Sequence, residues 1–104
     1  MFLGMNRVIE NELATNDMVE LYGVLAELRD PQEVAKLLRD LLTLEELQEA
    51  GRRLSMARRL SKGETQRSIA AATGASTATV SRVNSWLHHG TGGYGLALQC
   101  LRDS

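Results

Sequence analysis

The stretch Thr65–Leu87, TQRSIAAATGASTATVSRVNSWL, limits the folds open to this chain more than any other segment. It predicts two short helices joined by a tight glycine turn. Thr65 is a good N-cap, because its side-chain oxygen can take a backbone N–H that the first helical turn leaves unpaired. Gln66 to Thr73 then reads as helix, with Ile69, Ala70 and Ala72 near one face. Gly74 closes it, since a helix end commonly needs a left-handed residue that glycine adopts at little cost. Ser76 can cap a second helix in which Val80, Val83 and Leu87 recur at spacings of three and four. The other face carries Thr77, Ala78, Thr79, Ser81 and Arg82, all small or polar apart from the arginine. Such a helix suits insertion into a DNA major groove. Spacing alone fits two surface helices of any helical bundle equally well, so the surrounding charge has to separate the two readings.

Net charge is −1 but unevenly spread. Residues 1–51 hold four Lys/Arg against eleven Asp/Glu, a balance of −7, and residues 52–104 hold eight against two, a balance of +6. Seven of those eight cations fall between positions 52 and 82: Arg52, Arg53, Arg58, Arg59, Lys62, Arg67 and Arg82. Cations that coincide with a helix-turn-helix pattern read as an electrostatic footprint for phosphate, in preference to a solvated helix face whose arginines pair with the acidic half.

The rest of the chain is helical by the same reasoning. Met18, Leu21, Tyr22, Leu25 and Leu28 form one apolar stripe from about Asn16 onward. Asp30-Pro31-Gln32-Glu33 restarts a helix: Asp30 caps, Pro31 takes the first helical position, and Glu33 can reach back to the cap. Val34, Leu37, Leu38, Leu41 and Leu42 follow. Thr43-Leu44-Glu45-Glu46 repeats the capping-box pattern and opens a longer helix to about Lys62, with Leu44, Leu47, Ala50, Leu54, Ala57 and Leu60 as its apolar residues and Gly63 as its end. After His88-His89-Gly90-Thr91-Gly92-Gly93-Tyr94-Gly95, the run Leu96–Leu101 predicts a short final helix. The expectation is an all-α chain of six helices and one domain over residues 1–104, with residues 1–15 loosely ordered and the helix-turn-helix at 65–87. A chain of 104 residues buries only about 60–65% of its unfolded surface, so assembly with a second copy would help it.

Several patterns carry no chemistry. Gly90, Gly92 and Gly95 spell a dinucleotide-binding glycine motif, but that motif needs a preceding strand and a following long helix. His88, His89 and Cys100 lack a fourth ligand for zinc, and adjacent histidines on a helix point about 100° apart. The single cysteine, placed among apolar neighbours, reads as packing and fits a reducing cytosol. No acid–base pair, nucleophile triad or phosphate loop stands out, so neither catalysis nor a cofactor is expected. No signal peptide or membrane span is legible either, and a cytoplasmic protein is expected.

The residues LLTLEELQEAGRRLSMARRLSKGETQRSIAAATGASTATVSRVNSWL and the trailing GTGGYGLAL resemble the Trp-repressor superfamily, most closely its YerC/YecD branch of small bacterial proteins. GASTATVSR is the most specific piece, and the resemblance spans about sixty residues from Leu41 onward. It implies a six-helix Trp-repressor-like fold whose chains interlock as an intertwined homodimer. It also implies an effector pocket. Arg53 and Arg82 match the arginines that hold tryptophan in the Trp repressor, and Thr43 matches a threonine near the ligand's polar end. Val83 stands where the Trp repressor has glycine and Trp86 where it has serine. Both add bulk where the indole would lie, so L-tryptophan is not expected as a corepressor.

The leading expectation is therefore a homodimeric, sequence-specific regulator that binds double-stranded DNA. Thr77, Ala78, Thr79 and Ser81 would face base edges, Ser76 would cap and touch phosphate, and Gln66, Arg67, Arg58, Arg59 and Lys62 would grip phosphate, with Arg82 able to serve either role. The other reading is a helical interaction dimer whose acidic half docks on a basic partner while its helix-turn-helix is only structural.

Overall fold

A computed structural model describes residues 15–103 of the chain. The residues before Thr15, on which the expectation of a loose N-terminus falls, lie outside the described part. Among the described residues six α-helices follow one another: α1 (Asn16–Glu27), α2 (Pro31–Leu41), α3 (Leu44–Ser61), α4 (Gln66–Thr73), α5 (Thr77–His89) and α6 (Gly93–Asp103). No strand occurs among the described residues, so the chain is all-α as its sequence predicts. No described helix is long and apolar enough to cross a membrane. The chain divides into two compact units at Leu47/Gln48, a boundary that falls within α3.

In the first unit, local hydrogen bonds set every helix start. Thr15 caps α1 by accepting from the Met18 N–H at 3.3 Å. Asp30 accepts from the Gln32 N–H at 2.9 Å, with Pro31 at the first helical position where its missing N–H costs nothing. The expected return bond from Glu33 is not formed, so this cap works from one side. The box that opens α3 is complete: Glu46 Oε1 accepts from the Thr43 N–H at 2.9 Å, and Thr43 Oγ1 accepts from the Glu46 N–H at 3.1 Å. The Thr43 N–H first, and the Thr43 hydroxyl second, hold the Glu46 carboxyl below its ordinary pKa. Neither α1 nor α2 contains a buried residue. Their apolar stripes instead line an open cavity of about 410 Å³ between Met18, Leu21 and Val24 on one side and Leu37 and Leu41 on the other.

The second unit has the core. Met56 and Ala57 of α3, Ile69 of α4, and Val80 and Val83 of α5 are buried together, and Leu60, Ala70, Ala75 and Tyr94 pack against them. Met56 falls outside the apolar stripe read from the sequence, yet its exposure is zero, while Leu44 of that stripe is 53% exposed. An unbranched thioether can fill the irregular gap where helices cross, which a regular periodicity does not anticipate. α6 starts at Gly93, three residues before its apolar run. Gly92, at φ +94°, turns the chain, and its carbonyl accepts from the Leu96 N–H at 3.1 Å, which draws Gly93-Tyr94-Gly95 into the first turn. Tyr94 can then reach the core.

Candidate nucleic-acid interface

The turn between α4 and α5 follows directly from its residues. Thr65 Oγ1 accepts from the Ser68 N–H at 3.1 Å and starts α4. Gly74 ends it in the left-handed region at φ +76°, with its N–H donated to the Ala70 carbonyl at 3.0 Å. Thr73 then stitches the corner: its hydroxyl donates to the Ile69 carbonyl at 2.7 Å and accepts from the Ala75 N–H at 3.3 Å. Ser76 caps α5 by accepting from the Thr79 N–H at 3.1 Å, and its hydroxyl lies 3.0 Å from that of Thr79.

Burial of Val80 and Val83 fixes which way α5 faces. Residues one and two positions round the helix, Ala78, Ser81, Arg82 and Ser85, are all exposed, as is Thr77 at its start. Thr79 is half-buried and shares its hydroxyl with Ser76, so the structure places it at the edge of this face. Sequence pattern alone does not single out Ser85, which follows the small and polar N-terminal half of α5.

Charge on this unit is partly consumed internally. Glu49 accepts from Arg52 at 3.0 Å and from Arg53 at 3.2 Å, all on α3. Arg59 clamps Glu64 across the α3–α4 turn: its Nε donates at 2.9 and 3.1 Å and its terminal nitrogen at 2.9 Å. The pair holds the Glu64 carboxyl below and the Arg59 guanidinium above their ordinary pKa values, chiefly through those hydrogen bonds. Arg58, Lys62, Arg67 and Arg82 are exposed and have no acidic partner among the described side chains. Gln66 is half-buried at the start of α4. The helices α1, α2 and α3 carry Asp or Glu in their first turns, whereas α4, α5 and α6 carry none. The positive ends of α4 and α5 are left without a side-chain anion, which suits them to meet phosphate.

The Arg59–Glu64 clamp makes a pH-dependent contribution of definite sign. Because the folded Glu64 value is depressed, the clamp is fully present above the usual carboxylate value of about 4.3 and is lost as pH falls through the lower value. Thermal melts should show Glu64→Gln less stable than the parent at neutral pH, with the difference shrinking on acidification. A difference that stays constant down to strong acid would show that the clamp does not set it.

The expected effector pocket is only partly assembled. Arg53 and Trp86 do line one open cavity of about 560 Å³, together with Leu54, Thr91, Tyr94 and Ala97. Val83 is in the core at 3% exposure, and neither it nor Arg82 lines that cavity. Thr43 belongs to the first unit and is spent on the α3 cap. Trp86 is 61% exposed, so its indole walls the cavity without filling it. The ring lies against Gly90, where a Cβ would run into the Trp86 carbonyl oxygen and ring. Tyr94 and Thr91 lie in the glycine-rich segment, where no apolar periodicity singles them out.

His88 and His89 are exposed at the end of α5, their rings 6.3 Å apart. Cys100 is exposed, not packed as its apolar neighbours suggested, because it falls on the outer side of α6 from buried Leu98. No group of three metal-ligating side chains occurs among the described residues.

The chain matches the family described as Trp repressor protein over residues 16–102. It is 35% identical over 94 residues to the uncharacterised Bacillus subtilis protein YerC, covering 90% of each chain. A solved Trp-repressor-like protein from Eubacterium eligens superposes with a TM-score of 0.80 at 35% identity, covering 88% of this chain and 94% of that one. A structure of the same kind from Staphylococcus aureus gives a TM-score of 0.80 at 31% identity, covering 89% and 93%.

Proposed function

Because this chain belongs to the Trp repressor protein family, we propose that it is a homodimeric regulator that binds specific double-stranded DNA sites through α5. The observation that carries this reading is the outward face of α5. Thr77, Ala78, Ser81 and Arg82 are held clear of the core by buried Val80 and Val83. Their hydroxyls can donate to or accept from base edges, and Ala78 can meet a thymine methyl. Arg58, Lys62 and Arg67 hold phosphate, with Ser76 and Gln66 beside the helix starts. Arg82 serves bases or phosphate. Arg59 contributes by positioning: its clamp on Glu64 fixes where α4 leaves α3.

The first unit supports the dimer in this reading. Short helices such as α1 and α2 are marginal in water unless their apolar faces are packed, and neither has a buried side chain. A second copy covers those faces in this reading. Two α5 helices related by a two-fold axis then read half-sites roughly 34 Å apart.

The division of labour is testable by binding to one specific and one random duplex. Arg67→Ala should weaken both alike and lower the salt slope by about 1, whereas Ser81→Ala should relax preference at one base pair. Ser81 is the cleaner probe than Thr79, whose hydroxyl also serves the α5 cap. Equal losses from both substitutions on both duplexes would refute the assignment.

L-tryptophan is not the effector in this reading. Arg53 already shares Glu49, and Arg82 does not line the cavity that Arg53 and Trp86 line. Calorimetric titration should show no saturable tryptophan binding, and DNA affinity should be unchanged by it. Micromolar binding, or tryptophan-dependent DNA affinity, would overturn this.

A further inference from the structure

A second cavity of about 420 Å³, distinct from the one walled by Trp86, lies between the end of α3 and α6. Its apolar part is made by Leu98, which is buried, and half-buried Leu101. Its charged part is made by exposed Arg58, Lys62 and Arg102, none of which has an acidic partner among the described side chains. A cation near a helix C-terminus complements the helix dipole, and each of these could be there for that reason alone. Three cations that line one partly apolar hollow, with no acidic partner among the described side chains, do more than a dipole requires. The volume falls in the range of small-molecule sites, which are largely apolar with a few convergent charged groups. Gly95 also lines the hollow, and a Cβ built on it meets nothing within 4 Å, so the space beside it is open.

We propose that this cavity binds a small organic anion with an apolar body, an acyl carboxylate or an alkyl phosphate ester. The anionic head sits among Arg58, Lys62 and Arg102, and the chain lies on Leu98 and Leu101. The head would use two cations that also hold DNA phosphate, so occupancy would weaken DNA binding; that consequence rests on the DNA-binding reading above, while the site itself does not.

The experiment is calorimetric titration of the full chain with decanoate and with decyl phosphate, each below its micellar concentration, and with decanol and inorganic phosphate as controls. One anionic amphiphile should bind saturably at one site per chain, and both controls should bind about tenfold more weakly or worse. Tighter decyl phosphate assigns the head as a phosphate ester, and tighter decanoate assigns it as a carboxylate. R102Q should weaken binding about tenfold and leave DNA affinity unchanged. G95L, which adds bulk to an open place on a helix, should abolish ligand binding while circular dichroism and DNA affinity hold. Absence of saturable binding, decanol equal to the anions, or undiminished binding by G95L would each overturn the site. A G95L chain that changes oligomer mass would also overturn it, by showing that the hollow is a contact between copies. If the ligand binds and G95L blocks it but DNA is never bound, the regulator reading fails and the site stands.

Discussion

Ile69→Ala should destabilise the protein by about 2–5 kcal/mol, the cost of deleting buried methyl groups and leaving a cavity. Ile69 is fully buried, as are Met56 and Val80 among the described side chains. The core around it is small, made by Met56, Ala57, Val80 and Val83, so few neighbours can collapse into the space. The loss is a large share of the roughly 5–15 kcal/mol by which native domains are stable, and it should lower the thermal midpoint by at least about 8 °C. Leu96→Ala is the control, since Leu96 is 69% exposed and should cost less than about 0.5 kcal/mol. Melts followed by circular dichroism decide it. Equal midpoints for the two variants would mean that the α3–α4–α5 core does not hold this unit together.

Ala78→Glu should separate folding from DNA binding. Ala78 is exposed in the first turn of α5, where no acid is present. A carboxylate there meets the positive end of the helix and should leave stability unchanged or raise it by about 0.3–1 kcal/mol. On DNA the same charge faces phosphate and base edges in the groove. Like charges brought together at an interface cost several kcal/mol, so affinity should fall by about 100-fold or more. Anisotropy titrations beside thermal melts would show the opposed signs. Unchanged affinity would place the DNA contact elsewhere than the exposed face of α5.

What the sequence made legible was whatever short-range chemistry decides. Thr65, Ser76, Asp30 and the Thr43–Glu46 pair announce helix starts because each cap is satisfied within two or three residues. Gly74 announces the turn because its positive φ favours glycine. The polar and apolar faces of α5 were readable for the same reason, being one helix with one period. Features that depend on three-dimensional placement were not readable. Arg59 looks like any other cation in its run until the turn at Gly63 brings Glu64 under it. Met56 lies off the periodic stripe and is still fully buried. The run Leu96–Leu101 marks only part of the last helix, since α6 begins at Gly93 and places Tyr94 on the core. The proposed pocket of Thr43, Arg53, Arg82, Val83 and Trp86 was drawn by resemblance, and only Arg53 and Trp86 share a cavity.

Pairing α5 with unpaired cations makes one claim above the others, that this protein binds DNA at an inverted repeat. Fluorescence anisotropy with a pool of genomic fragments and a random duplex, repeated at several salt concentrations, tests it directly. Affinity should fall with salt along a log–log slope of roughly four to eight, and the enriched fragments should share two half-sites about one helical turn apart. No binding even at low salt would contradict the account. The cations between Arg58 and Arg82 would then belong to another partner, and the helix-turn-helix would be only a structural part of an interaction dimer.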